Sequence, residues 1–309
     1  MNKPRILCFG LGTDSSVLLH MEIKTRCFDI TAAVFSDTGA EFEHSYKNLE
    51  RFKKLCADAD IPLHVISHKK ENLMQFVDRL GNLPLLPSQR GHACSKKFKG
   101  DVIEQWAKEK YGPVEFLVGL EAGEDKRSRF VPPKGNENEY RYPLRELNMT
   151  RADCVAYLEE HGLTDIGKSS CVFCPFFQLE EIEAAVNDPK AMAVLERVEG
   201  NFKKASKRKH QAWLDAGSPL NKGGRCNAGH WRLDSYAEGH RLFAKTVKGK
   251  RLTVQEWKAY FAALKEKPAQ VVDFKPLKSP SKDRNQLIES GSLRTQVSLF
   301  DPVASDQCA

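Results

Sequence analysis

Hydrophobic and polar residues alternate along the first half of the chain in blocks that are typical of strands and helices in turn. Short apolar runs predict strands at Arg5–Phe9, Ile30–Phe35, Leu63–Ile66 and Phe116–Val118. Stretches with apolar residues at helical spacing separate these runs, near Ser16–Lys24, Glu43–Ala59, Asn72–Leu80 and Gly100–Tyr111. This alternation predicts an α/β fold with a doubly wound, mostly parallel sheet that binds its ligand at the carboxyl ends of the strands.

The pattern changes from Asp165 onward, where short helices and loops rich in Gly and Lys are predicted. A capping box that begins at Thr150 precedes a helix over Cys154–His161, and a second one at Thr253 precedes an amphipathic helix that ends near Lys267. The chain beyond is rich in Pro, Ser and Lys, as mobile tails are. The predicted domains are an α/β nucleotide-binding domain over 1–165, a smaller helical, basic, cysteine-containing region over 166–267, and a tail over 268–309.

A glycine turn follows the first predicted strand and leads into a helical pattern. Backbone N–H groups at the start of a helix after such a turn bind phosphate, and glycine lets the backbone approach the phosphate oxygens. An Asp and a Ser at the helix entrance cap free N–H groups, and the carboxylate helps to place Mg²⁺. An ordinary capped strand-turn-helix joint is the alternative. The candidate phosphate-binding residues are Gly10, Gly12, Thr13, Asp14, Ser15 and Ser16.

Composition narrows the class of protein. The 309 residues contain no apolar run as long as a membrane span, and the N-terminal run is broken by Gly10, Gly12 and Asp14. We therefore expect neither a signal peptide nor a membrane anchor. Nine cysteines without a secretion signal favour reduced thiols, metal or redox chemistry in the cytoplasm over a disulfide framework.

The net charge of +7 is concentrated in two basic clusters. From Lys245 to Arg284 there are eleven Lys and Arg residues against four Asp and Glu residues, and a second cluster spans Lys203–His210. Basic clusters attract nucleic acid through the release of counterions, and nearby tryptophans are available to stack on bases. A solvated surface is the alternative for a charge run of this kind. Nucleic acid is the predicted partner.

Five short motifs follow one another between about residues 5 and 180. They are the glycine turn Cys8–Ser15, Phe35–Phe42 (FSDTGAEF), Cys94–Lys99 (CSKKFK), Tyr142–Leu144 (YPL) and Ser170–Pro175 (SCVFCP). Together they resemble the phosphoadenosine-phosphosulfate-reductase-like branch of the PP-loop ATP pyrophosphatases. The resemblance implies an adenine nucleotide alpha-hydrolase-like fold that binds ATP and Mg²⁺, with Leu11 standing where the family usually has glycine.

The resemblance also implies roles for residues outside the glycine turn. Asp37, at the end of the second strand, adds a carboxylate to that of Asp14, and Thr38 and Gly39 form a second turn that faces the phosphates. Lys99 and Arg127 are expected to clamp the phosphates, with Lys99 favoured because it falls within a family motif. The expected catalytic residues are Asp14, Asp37 and Lys99.

The cysteines divide into two groups. Cys27, Cys56 and Cys154 fall at apolar positions and are expected to be buried core thiols. The Cys-x-x-Cys-Pro motif resembles half of an iron–sulfur or zinc site. The ligand set that we favour for a [4Fe–4S] cluster is Cys94, Cys171, Cys174 and Cys226. Zn²⁺ on the same set, with His230 as a substitute ligand, is the second hypothesis, and free thiols used for sulfur relay are the third.

The favoured function is an ATP pyrophosphatase that adenylates an oxygen of a nucleic acid, after which sulfur from a persulfide donor such as a cysteine desulfurase displaces AMP. DNA-phosphorothioation (Dnd/Ssp-type) members of the family are the closest in character, with DNA preferred over tRNA as the acceptor. A sulfonucleotide reductase is disfavoured because its Glu-Cys-Gly-Leu-His segment is missing, with only Cys308 near the end of the chain. A nucleic-acid-binding protein with a degenerate nucleotide site and a structural metal is the remaining alternative.

Overall fold

The computed structural model describes residues 3–80, 93–124, 135–219 and 241–266. It contains one sheet of five parallel strands in the order β3-β2-β1-β4-β5. The strands are β1 (Arg5–Cys8), β2 (Ala32–Ser36), β3 (Leu63–Ile66), β4 (Glu115–Val118) and β5 (Glu139–Arg141). The predicted α/β fold with a doubly wound parallel sheet is confirmed, and β5 is a strand that the sequence pattern did not predict.

Ten α-helices and one π-helical turn lie within the described ranges. The helices are α1 (Thr13–Thr25), α2 (Glu43–Asp58), α3 (Leu73–Leu80), α4 (Ala93–Ser95), α5 (Asp101–Tyr111), α6 (Pro143–Glu146), α7 (Arg151–Glu160), α8 (Leu179–Asn187), α9 (Pro189–Asp215) and α10 (Val254–Glu266). The π-helical turn, Lys96–Gly100, connects α4 to α5. None of these helices combines the length and apolar character of a membrane-spanning segment.

The described chain divides into two compact units. The first contains residues 3–73, 93–124 and 135–171, and the second contains 74–80, 172–219 and 241–266. In the first unit, alternate residues of the three inner strands, β1, β2 and β4, face opposite sides of the sheet, and both sides are buried there. Leu7, Phe35 and Leu117 pack on the side of α1 and α2, whereas Ile6, Val34 and Phe116 pack on the side of α5. Burial on both faces explains the nearly continuous apolar character of the strands.

Helices α8, α9 and α10 pack against one another in the second unit. The expectation of short helices in this part of the chain is wrong, because α9 is 27 residues long. Asp188 caps its start by accepting hydrogen bonds from the N–H groups of Lys190 and Ala191, and Pro189 occupies its first turn. Its buried residues recur at helical spacing from Ala191 to Ser206, interrupted by the many charged residues that hid the pattern.

Two of the three expected core thiols are buried. Cys56 and Cys154 are almost inaccessible, and burial raises the pKa of each to about 12. The prediction for Cys27 is wrong, since this residue is exposed. The physical reason is the left-handed conformation of Arg26, which ends α1 and turns the chain out of the helix before Cys27 is reached.

His20 on α1 gives the fold a predicted pH dependence. Its Nδ1 lies 3.0 Å from the Tyr157 hydroxyl, and burial, followed by the charges of His161 and Lys24, lowers its pKa from 6.5 to about 4. Since the unfolded chain binds the proton more readily, stability is fully present above pH 6.5 and falls as the pH drops towards 4. Unfolding by denaturant at pH 7 and pH 5 should show this loss in the wild type and a smaller loss in His20→Gln. Equal pH dependence in both proteins would contradict the assignment.

Candidate nucleotide site

The glycine turn lies where the strand order reverses. β1 pairs with β2 on one side and with β4 on the other, so the loops after β1 and β4 diverge from the carboxyl edge of the sheet, where α/β proteins bind their ligands. Gly119 follows β4, and a Cβ at this position would lie 2.8 Å from the backbone N of Ser15. The chain after β4 therefore packs directly on the start of α1. The contact of Gly119 with Ser15 joins residues from distant parts of the chain, so the sequence pattern gave no sign of it.

The glycine turn has a left-handed residue, an extended glycine and two hydrogen bonds of its own. Leu11 has φ +62°, in the left-handed region that normally selects glycine, and its side chain is 1% exposed. Gly12 is extended and occupies the N-cap of α1, so no side chain at this position covers the first N–H groups of the helix. The Ser15 hydroxyl accepts a hydrogen bond from Gly10 N–H at 3.1 Å and donates one to the Gly12 carbonyl at 3.2 Å. Leu11 thus adopts a backbone conformation that glycine adopts more readily.

The segment before the Cys-x-x-Cys motif packs on this turn. The Ser169 hydroxyl donates a hydrogen bond to the carbonyl oxygen of Gly10. A Cβ on Gly12 would lie 3.2 Å from Ser169 Oγ and 3.4 Å from Ser169 N, so a larger residue there would push the two segments apart. The contact joins residues 159 positions apart, and Ser169 was not among the predicted site residues.

Asp14 is held by an arginine that the sequence analysis missed. Both carboxylate oxygens of Asp14 lie 2.8 Å from guanidinium nitrogens of Arg151, the first residue of α7. The side chain of Asp14 is 9% exposed, and that of Arg151 is 52% exposed. In this structure, therefore, the carboxylate that was expected to place Mg²⁺ forms an ion pair with Arg151. In the sequence, Arg151 was recognisable only as the residue that follows the Thr150 helix cap, and nothing there indicated a contact with Asp14.

The turn after β2 has a fixed geometry. Asp37 Oδ1 accepts hydrogen bonds from Gly39 N–H and from the Tyr46 hydroxyl, each at 2.8 Å. Burial, followed by the hydrogen bond to Asp37, raises the pKa of Tyr46, so the phenol remains a donor. Gly39 has φ +69°, and a Cβ there would collide with the amide of Asn72. Asp37 thus organises its own turn through one carboxylate oxygen.

A buried acid links three of the sequence motifs. Glu41, whose side chain is fully buried, places Oε1 2.9 Å from Lys99 Nζ and 3.3 Å from the Thr38 hydroxyl. The Cys171 thiol lies 3.3 Å from Thr38 Oγ1 and 4.0 Å from Glu41 Oε1. Glu41 Oε2 is buried and has no hydrogen-bond partner within the described part of the chain. Glu41 was not a predicted site residue, although it lies within a quoted motif.

The π-helical turn directs Lys99 towards Glu41. Ser36, the last residue of β2, donates a hydrogen bond of 2.8 Å to the carbonyl oxygen of Phe98 inside this turn. The side chain of Lys96 instead pairs with Asp101 at 2.8 Å, on a more exposed part of the surface. Of the neighbouring lysines in the motif, Lys99 is therefore the one that reaches the buried acid.

Three of the four predicted metal ligands lie within the described residues. Cys94, in α4, and Cys171 belong to the first unit, whereas Cys174 belongs to the second. Cys226 and Arg127 lie outside the described residues. In the portion of the chain that the structure covers, no three His, Cys, Asp or Glu side chains form a group that could hold a metal ion. The described residues alone do not assemble a cluster site, and the four-cysteine set stays a prediction.

Comparison with known proteins identifies no family. The chain matches no protein-family model. An uncharacterized protein of Methanocaldococcus jannaschii is 30% identical over 111 residues, which cover 36% of this chain and 21% of that protein. The matched segment thus spans about a fifth of that relative.

One solved structure shows a distant likeness, the U34-tRNA thiolase NcsA from Methanococcus maripaludis with its [4Fe–4S] cluster. It is 16% identical, and the alignment covers 66% of this chain and 72% of that chain with a TM-score of 0.38. This TM-score is too low to support any argument about activity. The function of this protein is therefore argued from its own residues.

Proposed function

We propose that the protein is an ATP pyrophosphatase of the PP-loop type that adenylates an acceptor oxygen for sulfur transfer to a nucleic acid. The observation that carries the proposal is the meeting of the glycine turn with the segment Ser169–Cys171 at the carboxyl edge of the sheet. Ser169 contacts Gly10, and two residues later the Cys171 thiol contacts Thr38. The short segment Ser169–Cys171 therefore contacts the glycine turn, which we propose binds phosphate, and carries a thiol two residues further on; sulfur transfer after adenylation requires these two groups near each other.

The first step would use the start of α1. The N–H groups that follow Gly12 bind the phosphates of ATP, and the helix dipole favours their negative charge. The acceptor oxygen attacks the α-phosphorus and pyrophosphate leaves, which yields an adenylated acceptor. Mg²⁺, when bound to the phosphates, offsets the charge that develops on the leaving pyrophosphate. Asp14 is the carboxylate that would hold Mg²⁺. Lys99, which lies beside Glu41, would neutralise negative charge of the phosphates on that side of the site.

The second step would exchange oxygen for sulfur. The terminal sulfur of a persulfide forms a bond to the acceptor atom while the bond to the adenylated oxygen breaks, so that AMP leaves with that oxygen. A second thiol then releases the product from the resulting disulfide. We assign one of these thiol roles to Cys171 as a free thiol, which is the sulfur-relay hypothesis and excludes Cys171 as a cluster ligand in this step. A cysteine desulfurase is the class of partner that would supply the persulfide.

The polymer substrate is proposed from the basic surface of the second unit. Lys204, Lys207, Arg208 and Lys209 are exposed in the C-terminal half of α9. The described part of the other basic cluster, residues 245–266, adds Lys248, Lys250 and Arg251. These side chains suit a phosphate backbone, to which Lys and Arg bind without reading sequence. We propose DNA as the acceptor, with tRNA as the alternative.

The reaction predicts acceptor-dependent release of pyrophosphate. The full chain is incubated with ATP and Mg²⁺ alone, with duplex DNA, or with tRNA, and pyrophosphate is measured. We expect stimulation by DNA and a loss of about 100-fold or more in Asp14→Ala, because the charge on the leaving group is then less well offset. Stimulation by tRNA alone would move the proposal to tRNA. Release that is unchanged in Asp14→Ala would exclude this site as its source.

Binding of the polymer is tested separately. Affinity for nucleic acid should fall with salt, with a slope of about −0.7 to −0.9 per phosphate contacted. Replacing Lys204 and Arg208 by Gln should reduce this slope and leave ATP binding intact. The matched control replaces Lys53 and Lys54 by Gln, two exposed lysines of α2 in the first unit. An equal slope in both double variants would show that α9 does not bind the polymer.

A further inference from the structure

The ion pair between Asp14 and Arg151 joins the start of α1 to the start of α7. Asp14 Oδ2 accepts a hydrogen bond of 2.8 Å from Arg151, and Asp14 Oδ1 lies 2.8 Å from the other terminal guanidinium nitrogen. Arginine uses the same guanidinium nitrogens to bind phosphate. The carboxylate is buried, whereas about half of the guanidinium surface faces solvent. A buried carboxylate requires a cation beside it, and Arg151 supplies that cation from the accessible side.

The backbone of Arg151 is fixed although its side chain is exposed. Thr150 and Asp153 form a reciprocal capping box around it, in which Thr150 N–H donates to Asp153 Oδ2 at 2.8 Å. Helix α7 packs along α1, which begins at the glycine turn. The long side chain can therefore change partner while its Cα stays in place next to the phosphate-binding N–H groups.

We propose that Arg151 binds polyphosphate and exchanges partners when the nucleotide binds. Its guanidinium then separates from Asp14 and pairs with phosphate oxygens, while the Asp14 carboxylate turns to the bound divalent cation. This inference rests on the proposed function, because it requires a polyphosphate at the glycine turn. The exchange keeps every charge paired: the cation replaces the guanidinium at the buried carboxylate, and the phosphate replaces the carboxylate at Arg151. Arg151 would thus supply the arginine clamp that the sequence analysis assigned to Arg127.

The experiment measures two ligands separately on the full chain carrying Arg151→Gln. Pyrophosphate alone, measured by calorimetry, should bind about 10- to 100-fold more weakly, because a pair of charged hydrogen bonds is lost. Mn²⁺ alone, measured by its electron paramagnetic resonance signal, should bind more tightly, because Asp14 is no longer shared with a guanidinium. Opposite shifts for the two ligands are not expected of a residue that only stabilises the fold.

Arg51→Gln is the matched control. Arg51 also forms an ion pair with an aspartate, Asp165, through hydrogen bonds of 2.5 and 2.8 Å, but both side chains are exposed and neither belongs to the glycine turn. This variant should shift neither affinity. Arg151→Lys keeps the charge and should restore part of the pyrophosphate binding, which covers the case in which Arg151→Gln does not fold.

Three outcomes would overturn the inference. Unchanged affinities in Arg151→Gln, or a joint fall of both affinities together with thermal stability, would leave Arg151 as a structural residue only. Wild-type protein that binds neither MgATP nor pyrophosphate would overturn the proposed function as well.

Discussion

Replacing Lys99 by Met should abolish pyrophosphate release and destabilise the first unit. Lys99 is the cation beside Glu41, whose side chain is fully buried, and the two groups lie 2.9 Å apart. Removing one partner of a buried ion pair leaves an uncompensated charge and costs about 3 to 5 kcal/mol. The loss of a positioned cation at the site should also reduce turnover by about 100- to 1,000-fold.

Lys96→Met is the matched control for this prediction. The two lysines lie in the same π-helical turn and are equally exposed, at 22%, but the partner of Lys96 is Asp101, which is 46% exposed. A surface pair of this kind contributes about 0 to 1 kcal/mol, so this variant should retain stability and activity.

The double variant Lys99→Met with Glu41→Gln separates stability from chemistry. It removes both charges, so denaturant unfolding should show a recovery of stability relative to the single variant. Pyrophosphate release should stay low. Full activity in a well-folded Lys99→Met protein would exclude Lys99 from the reaction, and a loss of equal size in Lys96→Met would assign the effect to the helical turn as a whole.

Gly119→Ala should disable the nucleotide site from a position outside the glycine turn. The new methyl group would lie 2.8 Å from the Ser15 backbone N and 3.1 Å from Ser15 Cα, and neither atom belongs to a flexible side chain. The start of α1 must therefore shift, at a cost of about 1 to 3 kcal/mol in stability. A displacement of about 1 Å at a site that depends on positioning costs about 100-fold in rate.

Gly167→Ala is the control for steric specificity, because a Cβ at Gly167 has no atom within 4 Å. Calorimetry with ATP and the rate of pyrophosphate release are measured for both variants. We expect weaker ATP binding and slower release in Gly119→Ala and wild-type behaviour in Gly167→Ala. Wild-type ATP affinity in Gly119→Ala would show that the contact between β4 and α1 does not shape the nucleotide site.

The sequence by itself determined the local elements of this protein. The apolar runs located four of the five strands, and the caps at Thr150 and Thr253 located the starts of two helices. The caps succeed because their hydrogen bonds join residues three positions apart, and the strands succeed because a strand buried on both faces is a short apolar run. The glycine turn was recognised because strand, turn and helix start are contiguous. The strand β5 was missed because three residues give too short a pattern.

Only the tertiary structure decided which side chains meet. Arg151 pairs with Asp14 across 137 positions, Ser169 with Gly10 across 159, and Lys99 with Glu41 across 58. Each pair depends on the strand order β3-β2-β1-β4-β5, which brings the carboxyl ends of distant strands to one edge. The left-handed backbone of Leu11 is also a feature that the tertiary structure decided. Leucine disfavours this conformation locally, and burial of its side chain among residues from other elements stabilises it.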